Sequence, residues 1–552
     1  MWITSGLLPR LPVGTPTFQI PVRDRGDAKS RPGHSGERTV QEGVLTGSGP
    51  RRKVGGVTNP GSEADTDVLV VGAGPTGLLL ACELALAGVR TTVIDKRAKP
   101  HRESRALNLH PRSIELMDMR GLAGRFLDAG RTVPGWQFAV SLKRSLDFTA
   151  LDTRHPYALL LAQARTEALL VERARELGVE IRRGHEAVAL RQYGHGVETD
   201  VSGPAGPVTF RSAYAVGCDG GRSLVRQTAG IGFPGTGETM TAVVGDFAVA
   251  DHAYNEQARR HGVLVARLEA GLTRYVVMDP QRIRVPSTEP VTLEEFRTSL
   301  IRVCGSDCAI GEPRWLSRFG NTTRLAESYR CGRVFLAGDA AHIHFPVGAQ
   351  GLNTGLQDAM NLGWKLAATV HGWAPPGLLD TYHAERHPVG HAVTTGTRAQ
   401  SLLVELPLTE RYAGPARQLC ELLDTLLDME DVNRYLAGRI AALDTVYPPT
   451  TPDADPLAGR RMPDIGVTTV SGPTRVYELL HDGRFVLLRF DFGGGKRLQA
   501  AAGRSASSDR IRVVGVQEHG VHQDLKDVSE VLIRPDGHIA WATHRRAPHP
   551  SL

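Results

Sequence analysis

The chain has 552 residues, too many for a single hydrophobic core, and its 41% hydrophobic and 22% charged content is typical of a globular enzyme. The net charge of +6 is uneven, because residues 1–64 hold nine Lys and Arg against five Asp and Glu. The rest is nearly neutral and has no apolar run of the roughly 20 residues that span a bilayer. These features exclude nucleic acid and membrane as main partners.

Residues 1–64 are rich in Gly, Pro, Ser and Arg with weak periodicity, which predicts a disordered basic extension. The N-terminus lacks the charged and then apolar layout of a signal peptide. The six cysteines form no Cys-x-x-Cys pair. Together these features predict a cytoplasmic protein with free thiols and no metal site.

The first regular elements form one strand–helix–strand unit. The apolar run DVLVV, residues 67–71, predicts a strand, and the turn GAGPTG follows it. The apolar helix pattern after the turn stops at Gly88, and VRTTVID, residues 89–95, predicts a second strand.

The turn GAGPTG has the spacing of a dinucleotide-binding loop. Gly72 permits the tight turn, Gly74 lets the backbone approach a pyrophosphate, and Gly77 lets the helix pack on the strand. The helix N-terminus offers free N–H groups and a positive dipole end to the phosphates. Asp95 ends the second strand, where a carboxylate can accept ribose hydroxyls. This segment leaves open which dinucleotide binds.

Further along, the chain alternates between strand and helix patterns and contains no visible repeat. The predicted segments are strand–helix–strand at about 159–183, β-hairpins at 186–218, a second sheet at 240–330, long helices from 355 to about 443, a Pro-rich break at 447–456, and a last stretch of mixed strands and helices.

Two later motifs carry chemistry. One is CDGGRSLVR, which contains Asp219. In the other, RVFLAGDAAHIHFPVGAQGLN, a buried strand ends on Gly338 and Asp339 and a Gly-rich helix start follows. A carboxylate at a strand end can accept hydroxyl donors. Bare backbone at the helix start lets a ligand lie almost against the chain.

These two motifs, the GxGxxG turn and SRALNLHPRSIELM together resemble the FAD-dependent aromatic hydroxylases, the single-component flavoprotein monooxygenases of the para-hydroxybenzoate hydroxylase type. Over residues 65–552 the chain is most similar to the subgroup that acts on polyketides and related antibiotics.

The resemblance implies an α/β fold: a Rossmann-like FAD-binding domain, a β-sheet substrate domain, long helices and a C-terminal thioredoxin-like domain. The implied ranges are 65–240 for the first part of the FAD-binding domain, 241–330 for the substrate-binding domain, 331–445 for the return of the FAD-binding domain with the long helices, and 455–552 for the thioredoxin-like domain. No cysteine lies between Asp455 and Leu552, so the last domain is expected to be structural rather than a dithiol redox unit.

The resemblance also implies the reaction. NAD(P)H reduces FAD, the reduced flavin reacts with O2 to give a C4a-hydroperoxide, and one oxygen is transferred to a small-molecule aromatic substrate, an aromatic polyketide or related antibiotic. Because the cofactor carries this chemistry, no catalytic side chain is assigned. The protein is expected to be a monomer or homodimer.

The family's binding positions transfer to this sequence residue by residue. Asp339 matches the ribityl ligand, the segment from Pro346 to Asn353 lies against the flavin pyrimidine ring, and Asp219 supports both FAD and the docking of the nicotinamide. Ala349 stands where members often have Gly. The complete implied cofactor set is Gly72, Gly74, Thr76, Gly77, Asp95, Lys96, Arg97, Arg105, Gln163, Val188, Asp219, Asp339, Pro346, Gly351, Leu352 and Asn353.

Other functions remain open. The same flavin chemistry serves Baeyer–Villiger oxygenation or the oxidative inactivation of an antibiotic, and motifs do not separate these from hydroxylation. A flavin-dependent halogenase is disfavoured because no Trp-x-Trp occurs. A non-catalytic scaffold would purify without FAD. His342 and His344 are interpreted as packing or hydrogen-bonding residues.

Overall fold

The computed structural model describes residues 64–100, 106–249, 253–268, 271–449, 453–490, 509–520 and 522–545. The predicted extension, up to residue 63, and Arg105 lie outside the described residues. From Ser62 onward the chain forms one unit, so the parts described below pack on each other.

The predicted strand–helix–strand unit is present as β1 (Thr66–Val71), α1 (Pro75–Leu86) and β2 (Thr91–Asp95). Both strands are almost entirely buried, as expected for central strands that are covered on both faces. Pro75 opens α1, where its missing N–H costs nothing.

The stretch from 108 to 183 adds short strands and three helices. It contains β3 (Asn108–Leu109), α2 (Pro111–Asp118), α3 (Ala123–Ala129), β4 (Arg131–Val133), β5 (Gly135–Trp136), β6 (Leu146–Asp147), β7 (Ala158–Leu160), α4 (Gln163–Glu176) and β8 (Glu180–Arg183). The strand–helix–strand predicted at about 159–183 corresponds to β7, α4 and β8.

The predicted hairpins follow, and a short helix and strand complete this part. The elements are β9 (Glu186–Gln192), β10 (Val197–Gly203), β11 (Gly206–Gly217), α5 (Leu224–Thr228) and β12 (Gly235–Thr236).

The predicted second sheet is also present. Its segment contains β13 (Thr241–Val249), α6 (Ala253–Arg260), β14 (Leu264–Arg267), β15 (Leu272–Val277), α7 (Leu293–Cys304) and β16 (Ile310–Gly320). The four strands are antiparallel in the order β14-β15-β13-β16. Helices α6 and α7 pack on one face around Phe247, Tyr275 and Phe296.

The chain then returns to the first part and continues into long helices. The elements are β17 (Thr323–Leu325), β18 (Arg330–Cys331), β19 (Val334–Leu336), β20 (His342–Ile343), α8 (Gly351–Val370), α9 (Asp380–Glu405), α10 (Ala413–Leu426) and α11 (Glu430–Ala441). Helix α8 begins four residues before the predicted position, since Gly351 is already helical.

The main sheet has the order β18-β19-β11-β1-β2-β8, and β10 and β9 extend it from β11. Strands β19, β11, β1 and β2 are parallel neighbours. Gly217 lies opposite both Val71 and Leu336, so these strands end in register. Because parallel strands share their carboxyl edge, four segments distant in sequence meet along one line.

The described residues of the C-terminal part form a six-stranded sheet that shares a hydrophobic core with the main sheet. Its strands are β21 (Gly466–Thr469), β22 (Gly472–Arg475), β23 (Phe485–Phe490), β24 (Ile511–His519), β25 (Val528–Ile533) and β26 (Ile539–His544). They lie in the order β22-β21-β24-β23-β25-β26, with β23 parallel to β24 and the other pairs antiparallel. Across the ranges described above, no helix combines the length and apolarity that a membrane crossing requires.

Candidate functional site

The first glycine turn connects β1 to α1 and packs tightly on one side only. Gly72 has φ +111°, and a Cβ on it would lie 2.3 Å from the carbonyl oxygen of Cys218. A Cβ on Gly77 would lie 2.0 Å from the carbonyl oxygen of Gly72. A Cβ on Gly74 would meet no described atom within 4 Å. The turn therefore presses against the end of β11 and offers open backbone opposite, as a bound pyrophosphate requires.

Asp95, at the end of β2, is buried and fixes this turn. Its Oδ2 accepts a hydrogen bond from the backbone N–H of Ala73 at 2.9 Å, and its Oδ1 accepts one from the N–H of Arg97 at 2.8 Å. A carboxylate has about four acceptor positions, so two remain for hydroxyl donors.

Three further members of the implied cofactor set are exposed or already paired. Lys96 and Arg97 are exposed, and the Lys96 Nζ lies 4.0 Å from Glu186. Gln163 opens α4, and its Nε2 donates to Glu167 Oε1 at 2.8 Å.

Val188 occupies an irregular position in β9. The register between β9 and β10 passes from Ala189 opposite Asp200 to Ala187 opposite Val201, which makes Val188 the bulged residue. A bulge leaves the extra residue outside the ladder. Val188 is 53% exposed at this edge of the sheet.

Asp219 follows β11 and contains a buried atom without a partner. Its Oδ2 accepts from the N–H groups of Leu224 and Val225 at 2.7 and 3.2 Å. Its Oδ1 is buried and has no hydrogen-bond partner in the described part of the chain. Burial raises the pKa of this carboxyl, with hydrogen bonds from Ser223 and the backbone opposing the rise. A donor from a bound ligand would complete the site.

The Gly338–Asp339 turn follows β19 and meets α1 at Thr76. Gly338 has φ +62°, and a Cβ on it would lie 2.7 Å from Thr76 Oγ1. A Cβ on Gly355, in the second turn of α8, would lie 2.3 Å from the same oxygen. Asp339 is exposed between the buried residues Gly338 and Ala340. The two helix starts and the Asp339 turn are thus adjacent.

The segment before α8 has an irregular backbone held by side chains. Gly348 has φ +68° and Ala349 has φ +52°. The buried Asn353 donates from Nδ2 to the carbonyl oxygen of Ala349 at 2.9 Å and accepts at Oδ1 from the N–H of His110 at 2.8 Å. Pro346 is exposed. Gly351 and Leu352 are half-buried, so the segment keeps one accessible face.

His110 is a contact that sequence reasoning missed. Its Nε2 donates to the carbonyl oxygen of Gly348 at 2.8 Å, since that oxygen can only accept. Burial lowers the pKa of this imidazole to about 4, with the Gly348 bond opposing the shift, so it is neutral at pH 7. Its ring meets Trp136 and Phe148 edge-on at centroid distances of 5.8 Å.

Asp358 and Arg386 were also missed. Asp358 accepts from the backbone N–H of Gly338 at 3.1 Å, and Arg386 Nε donates to it at 2.8 Å. His342 donates from Nε2 to Asp358 at 2.7 Å, as its predicted hydrogen-bonding role requires. The sequence contained a signal for Asp358. The polar residues Asp358, Asn361 and Lys365 recur at helical spacing within a buried face of α8, and buried charges need partners.

An apolar cluster adjoins the segment before α8 through Phe345 and Val347. Its walls come from β6, the 3₁₀ turn after it, β13 and the long helices. Its other members include Leu146, Phe148, Met240, Ala242, Val404, Leu427 and Ile440, with Trp136 and Phe319 half-buried at its edge. The cluster is buried and apolar, so it keeps water away from the side of the segment that it contacts.

FAD fits these residues. Gly74 leaves a space that a Cβ would fill, and Asp219 Oδ1 is a buried acceptor without a donor in the described chain. Neither α1 nor α8 has a side-chain cap among the described residues, so first-turn N–H groups are available to an anion.

Two family models match the chain. The model for the "FAD binding domain" matches residues 65–397, and the model for "Aromatic-ring hydroxylase, C-terminal" matches residues 455–552.

Individual relatives and a solved structure agree with these matches. The chain is 46% identical over 488 residues to the 12-dehydrotetracycline 5-monooxygenase/anhydrotetracycline 6-monooxygenase of Streptomyces rimosus subsp. rimosus. The aligned region covers 86% of this chain and 95% of the relative. It is 46% identical to the rifampicin monooxygenase of Streptomyces venezuelae, with the same coverage. The structure of the OxyS anhydrotetracycline hydroxylase from Streptomyces rimosus superposes with a TM-score of 0.78 at 44% identity and covers 87% of this chain and 96% of that one. The predicted resemblance is therefore confirmed, and the chain belongs to the FAD-dependent monooxygenases of the aromatic-ring hydroxylase family.

Proposed function

We propose that the protein uses FAD, NAD(P)H and O2 to hydroxylate an aromatic polyketide or related antibiotic-type substrate. The observation that carries the proposal is the row of parallel strands β19, β11, β1 and β2, which end at Asp339, Asp219, the Gly72 turn and Asp95. The substrate class is supported by the tetracycline and rifampicin monooxygenases among the relatives.

Each part of the row has a proposed binding role. Asp95 accepts the ribose hydroxyls, the N-terminus of α1 receives the pyrophosphate, and Asp339 accepts the ribityl hydroxyls. The N-terminus of α8 faces the pyrimidine ring, where its dipole stabilises the negative charge of the reduced flavin. When bound, FAD accepts a hydride from NAD(P)H and activates O2.

The remaining predicted residues keep proposed roles at the edges of the cofactor. The backbone of Val188 and the side chains of Lys96 and Arg97 border the adenosine, and Gln163 contacts the cofactor. Contact by Gln163 requires its amide to leave Glu167 or to use its other donor or its oxygen. Arg105 remains a proposed phosphate contact.

The apolar cluster beside Phe345 and Val347 is the proposed substrate chamber. It would hold the aromatic rings next to the flavin and exclude water from the oxygen transfer. The sheet β13–β16 supplies one wall, which supports the assignment of residues 241–330 to substrate binding.

We also propose a thioredoxin-like fold for residues 455–552, supported by the parallel pair of β23 and β24, which needs a crossover connection. A cytoplasmic location is supported by the six free cysteines. A monomer or homodimer is the proposed assembly.

The test is NAD(P)H oxidation by the purified holoprotein with a panel of aromatic polyketides and rifamycins, followed by product mass. Hydroxylation predicts substrate-stimulated oxidation and a product heavier by one oxygen with its rings retained. Purified protein that takes up no FAD would contradict the proposal.

A second candidate is the oxidative inactivation of an antibiotic by Baeyer–Villiger oxygenation or ring cleavage. The similarity to rifampicin monooxygenase favours it. In the same assay, ring expansion or cleavage of the product supports this candidate instead.

A further inference from the structure

The turn between β25 and β26, residues 534–538, contacts helices α2, α8 and α9 of the FAD-binding part. Arg534 donates to both oxygens of Glu385 on α9 at 3.0 and 2.8 Å. Asp536 accepts from Trp364 Nε1 on α8 at 3.3 Å, and its backbone carbonyl accepts from Arg112 on α2 at 2.8 Å. These charged side chains are buried, so each one needs its partner.

The last residue of the turn continues the contact toward the cofactor site. The His538 ring packs against Tyr447 with ring centroids 4.2 Å apart and the ring planes tilted by 34°. The Tyr447 hydroxyl oxygen accepts from Arg386 Nη1 at 3.3 Å. Arg386 is fully buried, and its Nη2 donates to the carbonyl oxygen of Thr354 in the first turns of α8 at 3.2 Å.

Arg386 also bonds Asp358, and Asp358 holds the turn that contains Asp339. Arg386 Nε lies 2.8 Å from Asp358 Oδ1, and the N–H of Gly338 donates to Asp358 Oδ2 at 3.1 Å. Both side chains have essentially no exposed surface. Gly338 precedes Asp339 directly and has φ +62°, a conformation fixed by this contact and by Thr76.

We propose that His538, Tyr447, Arg386, Asp358 and Gly338 form a support chain through which the C-terminal domain positions the Asp339 turn for FAD. This proposal rests on the proposed contact of Asp339 with FAD. Its members are positioning residues. A buried polar chain transmits geometry because a misplaced member leaves its neighbours unpaired, which costs more than the bond contributes.

A purely structural role of this domain contact predicts a different result. If the domain contact supplied only stability, all interface variants would weaken the fold alike and none would change FAD affinity selectively. The contact of Arg475 with Asp118 on α2, at 3.0 and 3.1 Å, joins the same two parts of the protein outside the support chain. It provides the matched control.

The test compares Tyr447→Phe with Arg475→Gln. Tyr447→Phe removes one hydroxyl and keeps the ring against His538. Apoprotein is prepared, and the FAD dissociation constant is measured by quenching of flavin fluorescence, alongside the urea midpoint of the apoprotein. We expect the dissociation constant to rise about tenfold in Tyr447→Phe and to stay within about twofold in Arg475→Gln, although both midpoints fall.

Two further variants test the ends of the support chain. Asp358→Asn keeps the shape of the side chain and should weaken FAD binding more than Tyr447→Phe. His538→Ala should weaken it in the same direction, and the double variant with Tyr447→Phe should lose less than the product of the single effects, because both act through Arg386.

The proposal is overturned if Tyr447→Phe binds FAD within about twofold of the wild type while its midpoint falls, or if Arg475→Gln weakens binding equally. Should Asp358→Asn fail to fold, Tyr447→Phe and His538→Ala decide the matter. Wild-type apoprotein that binds no FAD contradicts the proposed function itself. FAD dissociation constants that are equal in the wild type and the variants contradict only the support chain.

Discussion

At the scale of single residues, the backbone of the segment before α8 is under local strain. Ala349 adopts φ +52°, a left-handed conformation that favours glycine, directly after Gly348 at φ +68°. The left-handed conformation costs a residue with a Cβ roughly 1–2 kcal/mol. The hydrogen bond from Asn353 to the Ala349 carbonyl holds the residue in this conformation.

Ala349→Gly should therefore stabilise the protein. Relief of strain exceeds the extra entropy of glycine in the unfolded chain, and we expect a gain of about 0.5–1 kcal/mol in the free energy of unfolding. Urea denaturation measures it. The matched change Gly348→Ala should destabilise, because its Cβ would be strained and would lie 3.0 Å from Ile440 Cδ1. A loss of stability in Ala349→Gly would contradict this account.

At the scale of elements, α1 and α8 approach closely because small residues face each other. Gly355 lies against Thr76, and its Cβ would also lie 3.2 Å from the Cα of Gly338. The distance between the two helix starts therefore depends on the missing side chain at Gly355 and on the hydroxyl of Thr76.

Gly355→Ala should force these elements apart. Overpacking of this kind costs about 1–3 kcal/mol, and FAD binding should weaken with it, since both helix starts are proposed to hold the cofactor. Urea denaturation and FAD titration are the measurements.

Thr76→Ala in the same chain should restore part of the stability, because it removes the oxygen that lies 2.3 Å from the new Cβ. The contact with Gly338 remains, so recovery should be incomplete. A double variant as weak as Gly355→Ala alone would show that the clash is elsewhere.

At the scale of the whole molecule, buried charges join the C-terminal sheet to the long helices. Glu385 on α9 accepts from Arg534 of the C-terminal domain and from Lys365 Nζ on α8, the latter at 2.8 Å. Burial opposes the ionisation of Glu385, but the charges of Arg534 and Lys365 outweigh it and lower the pKa of its carboxyl from 4.5 to about 2.

The junction should therefore weaken in acid. Between pH 4.5 and pH 2 the unfolded chain protonates Glu385 while the folded protein does not, so the unfolded state binds more protons and stability falls as pH falls. The free energy of unfolding, measured by urea at several pH values in this window, checks the slope.

Glu385→Gln should show a shallower pH dependence. At neutral pH it should lose about 3 kcal/mol, because the buried Arg534 loses the charge of the Glu385 carboxylate. The exposed ion pair of Glu430 with Arg434 on α11 provides the control, and Glu430→Gln should change stability by less than about 1 kcal/mol. An unchanged slope in Glu385→Gln would assign the acid sensitivity to other groups.

The local chemistry of the site could be predicted from the order of the residues alone. Gly72, Gly77 and Gly338 were identifiable because tight turns and close approaches accept no side chain, and Asp95 and Asp339 because carboxylates end apolar strands. The second sheet and the long helices followed from periodicity, which depends on neighbouring residues alone.

Which segments meet depends on how the whole chain folds. The order β19-β11-β1-β2 and its parallel register bring motifs more than 200 residues apart to one edge, and no local pattern encodes that order. The same holds for Asp358, Arg386 and Tyr447: a buried charge in a helix predicts that a partner exists, but the identity of the partner depends on how distant elements pack.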